Sequence, residues 1–181
     1  MWLYLWGHSV YHLIRWFPRN NRTKIFFMVM LITAVLVVPQ FFVLLLDHSS
    51  RWCRYPLLEL LIVSLVFTLF LIGFTFLFMV MMPVPRVVKI IFHVFGALSL
   101  IISLVHIILT SKAAECSTTT EALYYLSFAL AILSGISICY FALVLPFWMM
   151  NRLWKNSVLD FQNRSGICYE PVKCCSCVWH I

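Results

Sequence analysis

Four long apolar runs, broken by short polar stretches, set the pattern of this chain. They cover about residues 25–46, 57–82, 87–110 and 122–150. About 20 apolar residues rising about 1.5 Å each cover the ~30 Å hydrocarbon core of a bilayer, so each run is long enough to cross one. The two central runs are separated only by Pro83-Val84-Pro85-Arg86. So short a break forces antiparallel neighbours, and its prolines end one helix and restart the next because they cannot donate an interior helical bond. The pattern predicts an all-α membrane protein, an antiparallel bundle of four transmembrane helices over residues 25–150. Pro39 lies inside the first run and predicts a packing kink near Val35. Pro146 predicts a bend near the end of the fourth.

The ends of the chain read differently. Residues 1–24 carry their basic side chains (Arg15, Arg19, Arg22 and Lys24) after the apolar part, the reverse of a signal peptide. The segment is too short to span. With Trp2, Trp6, Tyr11 and Trp16 suited to head-group depth, it predicts a helix lying in the membrane interface. Residues 151–181 form a Cys-rich tail: Leu153, Trp154, Val158 and Phe161 share one side of a short amphipathic stretch, and the segment from Gln162 has no periodicity and reads as irregular.

Composition agrees with the pattern: 64% hydrophobic and 10% charged residues, with a mean hydropathy of +1.00, exclude an ordinary soluble core. A net charge of +7 would suggest nucleic acid in a soluble protein. Here the cations flank the spans, where they set orientation instead. Arg15, Arg19, Arg22, Lys24, Arg86, Lys89, Arg152, Lys155, Arg164 and Lys173 fall on one side of the expected topology, and Arg51, Arg54 and Lys112 on the other. Ten against three places both termini in the cytosol.

That topology sorts the candidate sites. Cys53 and Cys116 are the cysteines of the two outer loops, where an oxidising lumen lets them pair; two separate thiols are the alternative. Cys168, Cys174, Cys175 and Cys177 lie in the cytosolic tail, where S-acylation suits them better than zinc, whose ligands need paired spacing on a supporting turn. Gln40, Glu59 and His106 fall at similar depth on the first three spans and form a candidate intramembrane polar cluster, fixing helix packing or lining an ion path. In the third span Gly96, Ser99 and Ser103 lie on one stripe with His93 and His106; in the fourth, Ser127, Ala131 and Gly135 recur at steps of four. These small residues predict close packing of the third span against the fourth, with a homodimer face as the rival. His93 and His106 share a helix, but no other span supplies the second axial ligand each haem would need. No zinc pair, no nucleophile with a base and no cytosolic carboxylate pair is present, so neither enzymatic activity nor a metal or cofactor is expected.

Four spans, short loops and two inner termini resemble the small tetraspan proteins of the claudin and MARVEL type, over about residues 25–150 and in architecture alone. Claudins carry a long first outer loop with a Trp-Gly-Leu-Trp and paired-cysteine signature, whereas here that loop is Asp47–Pro56 with Trp52-Cys53. The MARVEL type tolerates short loops, and its association with vesicle traffic and membrane apposition is what the resemblance implies. The expected function is that of a non-enzymatic membrane organiser or accessory subunit, acting through the bilayer and through other membrane proteins or self-association. A small oligomeric channel or transporter using Gln40, Glu59 and His106 is the alternative.

Overall fold

A computed structural model describes residues 1–16, 22–46, 53–81 and 84–153. Among them the regular elements are six helices: α1 (Trp2–Trp16), α2 (Arg22–Leu45), α3 (Leu57–Val80), α4 (Arg86–Lys112), α5 (Cys116–Thr119) and α6 (Glu121–Leu153). Helices α2, α3, α4 and α6 are each long and apolar enough to cross a membrane. They stand where the four apolar runs predict them, and the protein is a multi-pass integral membrane protein. Helix α2 runs unbroken through Pro39. The tail from residue 154, with its four cysteines, lies outside the described residues, as does most of the amphipathic stretch before it.

The distribution of side chains inverts that of a soluble bundle. Large apolar residues face outward, among them Leu31, Val35 and Phe42 on α2, Leu69 and Phe70 on α3, and Ile90, Val94 and Ile101 on α4. Small polar residues face inward: Thr33 and Gln40 on α2, Ser64, Thr68 and Thr75 on α3, Ser99, Ser103, His106 and Thr110 on α4, and Ser127 and Ser134 on α6. Lipid offers no hydrogen bonds, so hydroxyls in the spans turn inward or back-bond to their own helix. Both occur here: Thr33 donates to the Val29 carbonyl at 2.7 Å and Thr68 to the Ser64 carbonyl at 2.8 Å.

Helix α1 departs from the sequence expectation. It does not lie along the interface; it is buried against α2, α3 and α4, with Met1, Trp2, Leu3, Tyr4, His8, Val10, Tyr11 and Ile14 all covered by protein. The reason is visible in its composition. A surface-lying helix needs a strongly polar face, and residues 1–14 contain no Lys, Arg, Asp or Glu. Two of its polar handles are instead paired inside: the Trp6 indole donates to Thr33 Oγ1 of α2 at 3.2 Å, and the Tyr4 hydroxyl lies 3.0 Å from His93 Nδ1 of α4. Two glycines make the close approach possible. A Cβ on Gly96 would sit 2.6 Å from the Tyr4 ring, and one on Gly7 would sit 2.8 Å from Leu71 and 2.9 Å from Phe92.

Around α1 the half of the interior nearest the α3–α4 turn is filled by rings. Tyr4 stacks on Phe92 with centroids 4.8 Å apart, Phe92 meets Phe74 and Phe78 edge-on, and Tyr11 meets Phe78 edge-on at 5.3 Å. Lys89 lies over the Tyr11 ring, 5.9 Å from its centroid. Such pairs contribute about 0.5–1.5 kcal/mol each beyond the area they bury.

The chain divides after Gly135 into two compact units. In the second, α6 continues through Pro146 to Leu153, and Cys139 is an exposed free thiol.

If glycines hold α1 against its neighbours, position decides the effect of enlarging them. Gly96→Leu should overpack the Tyr4 contact at a cost of about 1–3 kcal/mol, lowering Tm in detergent by roughly 2–10 °C. Gly73→Leu and Gly135→Leu, whose added Cβ meets nothing within 4 Å, should leave Tm unchanged or raise it. Equal losses at all three positions would contradict the buried placement of α1.

Candidate functional site

The strongest convergence of polar groups lies at the tip of α1, halfway along α4. The Met1 amino group donates to the Ser99 carbonyl at 3.1 Å and to the Ser103 hydroxyl. Beside it is a small cavity of about 20 Å³ whose polar lining is Met1, Ser64, Ser99, Ser103, His106 and Ser134, the remaining walls being apolar. Residues from α1, α3, α4 and α6 thus meet at one point. The α4 contribution follows from helical spacing: Ser99, Ser103, His106 and Thr110 recur at steps of four, three and four, which keeps them on one face. His106 is 4% exposed, and among the described residues its Nε2 has no hydrogen-bond partner; the hydroxyls of Thr110 and Ser127 are likewise buried and unpartnered there. Each such group costs about 1–3 kcal/mol if it stays dry.

The expected trio of Gln40, Glu59 and His106 does not assemble. Glu59 is exposed because it sits two residues from both Leu57 and Leu61, which are fully buried, and so faces away from them. Gln40 is buried but committed elsewhere: its amide donates to the Leu36 carbonyl at 3.0 Å and to Thr68 Oγ1 of α3 at 3.3 Å. His106 faces the cavity. The small residues of α4 also have an unforeseen partner. Gly96 lies under the Tyr4 ring, and Ser99 and Ser103 take the Met1 amine, so this stripe packs on α1. On α6, Ser127 and Ala131 are buried, while Gly135 has open space where a Cβ would point.

A second polar group sits further along α1. His8 and His12, one turn apart, face each other with their Nε2 atoms 3.1 Å apart. Burial, with His12 and His93 adding to it, pushes the His8 pKa down to about 3. The His8 imidazole is therefore neutral near pH 7. Among the described residues no group of three or more His, Cys, Asp or Glu is placed to hold a metal ion.

At the end of the bundle opposite the α3–α4 turn, Cys53 is joined to Cys116, with Cα atoms 5.6 Å apart and a sequence separation of 63. The bond ties the loop before α3 to the start of α5, and so fastens the two connections at that end together. Cys168, Cys174, Cys175 and Cys177 lie outside the described residues. No protein-family model, no curated protein and no solved structure matches this chain.

Sequence reasoning missed the part played by residues 1–14. Two signals mark it: the absence of charge before Arg15, and the polar stripe on α4, which needed a partner without saying which helix supplied it.

A disulfide closing so long a loop should contribute about 2–4 kcal/mol. Cys53→Ser, or reduction of the native protein, should lower Tm in detergent by roughly 5–15 °C. An unchanged Tm, with both thiols alkylated in the untreated protein, would contradict the bond.

Proposed function

We propose that this protein is a non-enzymatic membrane organiser or accessory subunit that acts through lateral contacts with lipid and with other membrane proteins. The observation that carries this reading is the occupation of the bundle interior by α1. The space a conducting path would need on the α3–α4 turn side is filled by Tyr4, Tyr11, Phe74, Phe78 and Phe92. A pore needs a polar stripe running the whole depth of the membrane, and the polar stripe of α4 gives way to Phe92 and Phe95 toward its start. The contact-forming surface is on the outside. An apolar groove of about 530 Å³ runs between α3 and α4, lined by residues such as Val66, Phe70, Gly73, Leu77 and Ile91. It suits an acyl chain or an apolar helix face. The distribution of Lys and Arg supports cytosolic termini, and the four-pass architecture with short loops supports a likeness to the MARVEL type.

The polar centre around His106 favours the second reading, a small channel or transporter gated by movement of α1. Reconstitution separates the two. The organiser reading predicts ion and proton flux in proteoliposomes no greater than in empty vesicles, and no change with His106→Ala. It also predicts cross-links in native membranes from outward positions on α3 and α4 to other membrane proteins or to a second copy. Flux above background that His106→Ala abolishes would overturn it.

A further inference from the structure

The cavity at the tip of α1 has the size and chemistry of a hydration site. A void needs about 10–15 Å³ and two to four polar partners before water occupies it. This one offers about 20 Å³; Trp2, Leu3, Phe67 and Ile102 supply apolar walls, and its polar partners are Met1, Ser64, Ser99, Ser103, Ser134 and His106. It is too small for two waters. Among the described residues no cluster of metal-ligating side chains lines it or lies elsewhere, and it contains no carboxylate to draw a cation. An apolar occupant would leave His106 Nε2 unsatisfied, whereas water satisfies that nitrogen as donor or as acceptor.

We propose that this cavity binds a single water molecule, hydrogen-bonded to His106 Nε2 and to serines of the surrounding helices. Such hydration is compatible with either an organising or a conducting bundle.

Solid-state NMR of ¹⁵N-histidine-labelled protein in phosphatidylcholine liposomes tests this, with magnetisation starting on water protons. The imidazole nitrogens of His106, assigned by their loss in His106→Asn, should receive water magnetisation. Ser103→Val combined with Ser134→Val, which places methyl groups in the cavity, should cut that transfer several-fold. Ser64→Ala removes one partner without filling space and should reduce it less. A resolved His106 signal with no transfer from water in the wild-type protein would overturn the proposal. So would transfer that the double valine variant leaves unchanged, because the water would then lie elsewhere.

Discussion

Hydrocarbon cannot accept or donate a hydrogen bond, and this constraint orders the molecule. A hydroxyl, amide or imidazole carried by the spans is therefore turned inward or bonded back to its own helix, because facing lipid costs it more. Four spans whose outward faces are Leu, Ile, Val and Phe therefore enclose an interior edged with Ser, Thr, Gln and His. Such an interior is poorly filled by small side chains alone. Helix α1 supplies the missing volume, with Tyr4, His8 and Tyr11 as large buried side chains that also carry polar atoms. The packing is reciprocal: Gly96 makes room for Tyr4, and Gly7 makes room for Leu71 and Phe92.

The four spans were legible in the sequence because an apolar run of more than 20 residues permits few other structures in water or lipid. Their starts were legible too, since Pro56 and Pro85 stand immediately before α3 and α4. The pairing of Cys53 with Cys116 could be named from topology alone, as one cysteine fell in each outer loop. Placement of the polar residues was less legible. Counting residues along a span gives only an approximate depth and says nothing of rotation about its axis. Gln40 pairs with Thr68, about 13 Å along α3 from Glu59, His106 meets the cavity beside Ser64, and the three face different surroundings. Glu59 could have been separated from the others by phase, being two positions from Leu57 and Leu61 on an otherwise apolar helix.

The N-terminal segment was misjudged for a different reason. Aromatic residues are equally at home at head-group depth and in a protein interior, so Trp2, Trp6 and Tyr11 do not distinguish the two. Charge does. A helix without a Lys, Arg, Asp or Glu in its first fourteen residues has no strongly polar face to offer water, and it gains more by burying most of its surface. The same argument makes the α4 stripe intelligible, since small residues on one helix imply a close neighbour without identifying it.

The central claim is that α1 sits inside the bundle with Tyr4 against Gly96. Oxidative cross-linking of Tyr4→Cys with Gly96→Cys, in a background lacking the exposed cysteines, tests it most directly. The account predicts an intramolecular disulfide under mild oxidation in intact membranes, and none when the second cysteine is moved to the outward-facing Ile101. Failure of the first pair to join, with the thiol at position 4 alkylated freely by a water-soluble reagent, would contradict it.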